Sequence, residues 1–343
     1  PENSSEAPIA TATEQTESAK PEVVKETGEV NLYSARKEAL IKPLLDSFTE
    51  QTGIKVNVIS SKADALLKRI ESEGINSPAD VLLTTDAGRL HRAKTAGVFT
   101  AIDSQVLTQN IPAQYRDSEG TWYGLSVRLR PIMVTDKADP ELLKRYEDLS
   151  NADLKGQICV RSSSNIYNQS LTSSMIEANG EEATQTWAEG LVANLARKPQ
   201  GGDRDQIRAA ALGQCSIVIA NTYYLAQMLA TEEGHQDRLA AEKIRVLWPN
   251  QDDRGTHANV SGAGVIKTAP NKENAIKFIE FLSSDKAQEI YANVNYEYPV
   301  KGDIEINSIL TNWGTFKADA LPLEKLGLNN PASIKLMDRA GWK

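Results

Sequence analysis

From residue 29 onward the chain alternates short β-type runs with amphipathic helical runs, and this alternation restricts the possible folds more than any other feature. A strand over 29–33 is followed by a helix over about 37–51 and a stop at Thr52-Gly53. A strand over 55–59, a helix over 63–73 ending at Gly74, and a strand over 80–84 come next. Strands separated by helices pair in parallel and carry the helices on the sheet faces, so an α/β architecture is expected.

The pattern changes near Trp122-Tyr123-Gly124, where an extended segment over 125–134 runs through Arg128, Arg130 and Pro131. A second α/β series follows. It has a strand over 157–161, helices over 167–178 and 181–196, and a turn at Pro199-Gln200-Gly201-Gly202. A helix over 204–212, a strand over 215–220 and a helix from 223 to about 233 complete it. A run over 246–249, a polar loop over 250–259 and a strand over 260–267 read as a second long crossing. Helices over 272–283 and 285–293 and a mostly helical tail end the chain. Two α/β units joined by more than one extended crossing predict two lobes hinged about a cleft. The expected division is 29–126 with 250–300 as lobe one and 127–249 with 301–343 as lobe two. Residues 1–28 are polar and hold no aromatic residue, too little apolar surface to offset chain entropy, and read as a disordered tether.

Composition removes several classes of function. A net charge of −8 argues against a nucleic-acid partner. No run of 18 apolar residues exists to span a bilayer. Three histidines and two cysteines are too few soft ligands for a zinc or iron–sulfur site. Cys159 and Cys215 each fall on an expected strand, either as one disulfide or as two buried thiols. Gly201-Gly202-Asp203 reads as a turn and N-cap, and Ser261-Gly262-Ala263-Gly264 enters a strand without dinucleotide-loop spacing. No nucleophile–base arrangement is legible, so an enzyme is not expected.

In an open α/β sheet, ligands gather beyond the carboxyl ends of strands, where the next helices begin. In the second unit that position carries tyrosine twice, as Ser164-Asn165-Ile166-Tyr167 and as Asn221-Thr222-Tyr223-Tyr224. Phenolate is a hard anionic oxygen donor suited to a hard trivalent cation such as Fe³⁺. Its ordinary pKa near 10 sets the cost, which the ion and, to a smaller extent, a helix N-terminus offset. Buried tyrosines also serve as plain packing, and the matching junction at Tyr167 is what favours a site. Three phenolates neutralise Fe³⁺ but leave coordination positions open for water, an anion or another residue. Arg36, after the first strand, and Arg128, on the crossover, are the candidates to hold such an anion.

Several stretches resemble the ferric-binding periplasmic proteins of ABC transporters, and within them the cyanobacterial FutA/IdiA type. They are Asn31-Leu32-Tyr33-Ser34, the run over 77–84, the run over 161–170, the run over 199–207, Ala220-Asn221-Thr222-Tyr223-Tyr224 and Val260-Ser261-Gly262-Ala263-Gly264-Val265. The resemblance covers roughly 29–343. It implies a type II periplasmic-binding-protein fold that holds Fe³⁺ between its lobes and delivers it to an inner-membrane ABC permease. It also implies a monomer in the periplasm, with the N-terminal segment as a tether. Carried over by motif, Tyr167, Tyr223 and Tyr224 are the metal ligands, and Arg128 lies near the metal.

One departure stands out. Relatives of the cyanobacterial type often read Arg-His-Tyr after the first strand, where this chain reads Arg36-Lys37-Glu38. The expectation is therefore that Arg36 clamps a synergistic anion such as carbonate, with Glu38 and Tyr33 as lesser candidates for the sphere. The competing readings are a receptor of the same fold for an organic anion or polyamine, with Tyr223 and Tyr224 stacking, and an intracellular iron-binding protein that protects photosystems.

Overall fold

The computed structural model describes residues 27–343. The tether expected over 1–28 lies, except for its last two residues, outside the described part.

Among the described residues eleven strands form two sheets: β1 (Glu29–Ser34), β2 (Lys55–Ser60), β3 (Val81–Thr85), β4 (Phe99–Thr100), β5 (Tyr123–Leu129), β6 (Ile132–Val134), β7 (Ile158–Cys159), β8 (Ile217–Ile219), β9 (Arg245–Leu247), β10 (Ala258–Ile266) and β11 (Tyr298–Pro299). The larger sheet has the order β11-β5-β10-β3-β1-β2, with β4 beside β10, and the smaller has the order β7-β8-β6-β9. The expected parallel pairing holds where helices intervene. β1 pairs with β2 in register from Glu29–Lys55 to Ser34–Ser60, and with β3 over Leu32–Val81 to Ser34–Leu83. β10 runs antiparallel to both β3 and β5, so the large sheet is mixed.

The two-residue period of β1 gives each sheet face its own core. Val30 and Leu32 join Ile41, Leu44 and Phe48 of the helix Glu38–Thr52, while Tyr33 joins Leu66, Leu67 and Ile70 of the helix Ala63–Glu73 on the opposite face. The three buried residues of each helix recur at helical spacing, so one stripe faces the sheet. Each fully buried Leu, Ile or Phe contributes roughly 1.5–3 kcal/mol relative to exposure. The first helix stops where Gly53 turns left-handed at φ 79° and donates back to the Thr49 carbonyl.

The extended segment expected over 125–134 is two strands, not one. β5 lies in the large sheet and β6 in the small one, and the chain crosses between them at Arg130-Pro131. The second crossing runs from β9 to β10, as the polar loop suggests. The helix expected from 223 to 233 ends at Leu229, and a separate helix Gln236–Ala241 starts after Gly234 turns to φ 81°. The tail from 301 divides between the two cores instead of joining the second unit whole. Leu310, Leu323 and Leu326 pack with the large sheet, whereas Leu336, Met337 and Trp342 pack with the small one. The reason is connectivity: the chain leaves β11 in the large sheet, touches the small-sheet side at Trp313, and joins the core there with the helix Asn330–Arg339.

β10 is buried along its whole length between β3 and β5. A Cβ at Gly262 would come within 2.6 Å of the Tyr123 carbonyl oxygen and 2.8 Å of Leu90. Its glycines therefore serve close packing, in agreement with the absence of a phosphate loop. Gly262→Ala is expected to cost about 1–3 kcal/mol through forced backbone shifts, read as a lower urea midpoint with unchanged slope.

Candidate functional site

β7 and β8 lie side by side and each opens into a helix, Ile166–Asn179 after β7 and Thr222–Leu229 after β8. Asn165 caps the first, its side-chain oxygen accepting from the Tyr167 amide at 3.0 Å. Asn221 occupies the N-cap of the second, where its Nδ2 donates to the Tyr223 hydroxyl at 3.1 Å. Tyr167 and Tyr223 are each the second residue of their helix, at an end where aligned amides favour negative charge.

The structure brings the three tyrosines together around Arg128. The Arg128 guanidinium donates to the Tyr167 hydroxyl at 3.3 Å and also to the Tyr223 hydroxyl. Its Cζ sits 4.9 Å from the Tyr167 ring centre and 4.5 Å from that of Tyr223. Tyr223 and Tyr224 have ring centres 4.4 Å apart. The Arg128 Nε is buried without a hydrogen-bond partner. A group in that position is costly to leave unpaired, which suits a site that receives a further acceptor.

Electrostatics divides the phenols. Burial alone would raise the Tyr167 phenol, but the Arg128 charge and hydrogen bonds with Tyr223, Arg128 and Tyr224 override it and bring it down to about 7. For Tyr223 burial wins over Arg128 and pushes the phenol well above its ordinary value. Burial, followed by the charge of Tyr167, pushes Tyr224 up to about 12. Arg128 thus favours one phenolate in the cluster, and a second or third needs a much stronger positive charge.

A buried network behind the tyrosines fixes both junctions. Arg130 donates to Asp203 at 2.8 Å, to the Asn221 side-chain oxygen at 2.9 Å and to that of Asn168 at 2.8 Å. Asp203 also accepts from the Asn221 amide at 2.8 Å, and Arg161 reaches it at 3.5 Å. Asp203 is therefore not the expected N-cap. Gly202 holds that position, and Asp203 turns inward to pair with Arg130. Arg128, Arg130, Arg161 and Arg204 all lie 4.5–5.7 Å from tyrosine ring centres of the cluster. Among the described residues no group of three or more His, Cys, Asp or Glu is arranged to hold a metal. His257 is buried and kept neutral, its pKa pushed down to about 3 by burial and then by Arg130 and Arg254.

The residues expected from the first lobe are placed differently. Arg36 is buried, and both its terminal nitrogens reach Glu297, through Nη1 at 3.2 Å and through Nη2. Ser126 donates to the same carboxylate. Arg128 also acts on Glu297 electrostatically, and together with the Arg36 charge this holds the carboxyl low despite burial. The guanidinium at the phenols is thus Arg128, while Arg36 is engaged by a carboxylate. The Tyr33 hydroxyl is taken by Glu73 at 2.8 and 2.9 Å, and Glu38 is exposed at the start of its helix. A further contact joins the two units: Ser170, on the helix that starts beside Tyr167, donates to the Asp86 carboxylate at 2.7 and 2.9 Å. Asp86 follows β3 as the cap of the next helix, at φ 81°, and its Oδ1 also accepts from the Gly88 amide. Sequence reading missed Arg130, Asp203, Asn168, Glu297 and Asp86 as site-supporting residues. Only Arg130, two residues from Arg128 on the crossover, carried a local signal.

Residues 76–317 match the family described as bacterial extracellular solute-binding protein, and the chain belongs to that family of two-lobed solute-binding proteins, which are not enzymes. It is 49% identical to iron uptake protein A1 of Synechocystis sp., over 93% of this chain and 88% of that one. A solved Trichodesmium FutA (IdiA) in complex with iron and citrate superposes with a TM-score of 0.89 at 50% identity, covering 92% of this chain and all of the other. The Campylobacter jejuni ferric-binding protein gives a TM-score of 0.87 at 37% identity over 92% of this chain and 100% of that one.

Proposed function

We propose that this protein is the extracytoplasmic Fe³⁺ receptor of an ABC importer, and that Tyr167, Tyr223 and Tyr224 bind the ion as phenolates. The observation that carries the reading is the meeting of three phenols, one buried and two half-buried, from the starts of two helices, around one guanidinium. Plain packing does not need three hydroxyls at one point beside an arginine with an unpartnered nitrogen. The relatives named for iron uptake and the iron-and-citrate complex support the same cargo. A hard trivalent cation supplies the charge that turns Tyr223 and Tyr224 into phenolates against the cost of burial.

Three phenolates leave coordination positions open, and Arg128 is the guanidinium best placed to hold an anion there. Arg36 stands behind it through Glu297, so its part in anion binding would be indirect unless that ion pair opens. Arg128 and the Asp86–Ser170 contact draw the two units toward the tyrosines, so iron binding favours the closed form. The closed, loaded protein then docks on an inner-membrane permease from the periplasmic side.

The test is an absorbance spectrum of the purified protein with and without ferric iron. Phenolate ligation gives an orange-to-red charge-transfer band that a strong chelator removes. A colourless protein that takes up no iron in calorimetry would overturn the reading.

The raised phenols also predict the proton balance. A group held protonated until the metal arrives must release its proton on binding. Near pH 8 Tyr167 is already largely ionised, so loading should release about two protons, from Tyr223 and Tyr224. Near pH 6 the release should approach three. Affinity consequently falls as the solution is acidified, and more steeply below pH 7. Potentiometric titration with a ferric chelate of known proton balance measures this directly.

A further inference from the structure

Set one above the other, the segments that deliver the tyrosines share a spacing. Cys159 precedes Asn165 and Tyr167 as Cys-x5-Asn-x-Tyr, and Cys215 precedes Asn221 and Tyr223 with the same spacing. In both copies the Asn is the helix N-cap and the Tyr is the second helical residue. The two cysteines are joined to each other, with their Cα atoms 6.0 Å apart, and the bridge is buried in the core beneath the site.

The strands at the bridge are short: β7 ends at Cys159 itself, and β8 begins two residues after Cys215. β7 has two residues and lies at the edge of its sheet. Its pairing with β8 consists of Ile158–Ile217 and Cys159–Val218, and its outer side has an isolated bridge from Ile158 to Leu195. A slip of one residue along a strand displaces the helix start beyond it by about 3.3 Å. A metal site tolerates errors of about 0.2 Å in ligand distance.

Resting on the ferric reading above, we propose that the Cys159–Cys215 bridge is a positioning device for the iron site. It ties the roots of two matching segments so that Tyr167 and Tyr223 arrive at one ion with fixed separation. With both sulfurs in the bridge, the cysteines supply no ligand atom. They act through the strands and the two asparagine-capped helix starts. The bridge thereby couples iron affinity to the oxidation state of the compartment, because only the oxidised protein holds the phenols at ligand distance.

The experiment compares wild type with Cys159→Ala/Cys215→Ala, both as full chains. The readouts are circular dichroism, thermal unfolding, ferric affinity by citrate competition, and the position and width of the phenolate-to-iron band. Loss of a bridge with purely structural weight lowers the melting temperature and leaves affinity and band unchanged, and that result would overturn the proposal. The expected result is a folded protein with at least tenfold weaker iron binding, faster release, and a shifted or broadened band. If the variant does not fold, wild type is compared before and after anaerobic reduction by a dithiol that is then removed. The bridge takes up two electrons and two protons to give two thiols, and the dithiol becomes its cyclic disulfide. Gallium(III), which thiols do not reduce, then serves as the probe, followed by tyrosine difference absorbance. Equal gallium affinity in the oxidised and reduced proteins would overturn the proposal, and at least tenfold weaker binding to the reduced form would support it. Wild type that shows no ferric band removes the iron reading itself, which separates that failure from failure of the bridge.

Discussion

Tyr223→Phe is expected to lower ferric affinity by on the order of a thousandfold, about 4 kcal/mol. Loss of a group that merely orients a ligand costs about ten- to a hundredfold in metal affinity, and loss of an anionic ligand lies above that range. Phenylalanine keeps the buried ring and its contact with Tyr224 at 4.4 Å between ring centres. What it removes is one oxygen donor and one negative charge. The same change takes an acceptor from the Asn221 Nδ2 and from the Arg128 guanidinium, which keeps Tyr167, so the iron-free protein should lose about 1–3 kcal/mol of stability. The combination is diagnostic: a weakened charge-transfer band and a loss of affinity larger than the loss of stability read from the urea midpoint. Wild-type affinity in Tyr223→Phe would mean that Tyr223 packs and does not coordinate.

Asp203→Ala is expected to produce the largest loss of stability of any single change at the site, about 3–5 kcal/mol. Its side chain is fully buried and pairs with Arg130, whose own side chain is 2% exposed. Removing the carboxylate leaves that guanidinium buried and uncompensated, deprives Arg161 of its ion partner and frees the Asn221 amide. Equilibrium urea unfolding measures the loss. Iron binding should weaken as well, because Arg130 holds Asn168 beside Tyr167 and Asn221 beside Tyr223 through the same network. Asp203→Asn restores the shape and part of the hydrogen bonding, and should recover some stability. A change below 1 kcal/mol in Asp203→Ala would show that the pair contributes little beyond its desolvation cost.

The parts of the molecule legible in the sequence are those that depend on neighbours along the chain. Helix Ala63–Glu73 falls where the periodicity predicts it, because an apolar stripe and the glycine that ends it lie within one short segment. The strands around the site are shorter than their hydrophobic runs suggest. The run over 157–161 contributes only Ile158–Cys159 to the sheet, since an apolar run indicates burial and not how many residues find a partner. The extended run over 125–134 was legible as a crossing, but its division between two sheets at Arg130-Pro131 depends on strands that pair from elsewhere, β10 on one side and β8 on the other.

At the site, the position of tyrosine relative to a strand end and a helix start is a local pattern, readable from consecutive residues, and it marks Tyr167, Tyr223 and Tyr224 as candidates. The partners of the charged groups depend on the closed fold. Arg36 looked free because the carboxylate that engages it, Glu297, lies 261 residues away in the chain. Asp203 looked like a helix cap because its arginine, 73 residues earlier, arrives over a crossing strand. The choice of Arg128 over Arg36 at the phenols, and the joining of Cys159 to Cys215, were fixed the same way. Short-range steric and hydrogen-bonding preferences are written in consecutive residues. A buried charge has no such preference, and takes whichever opposite charge or hydrogen-bonding group the closed fold brings within reach.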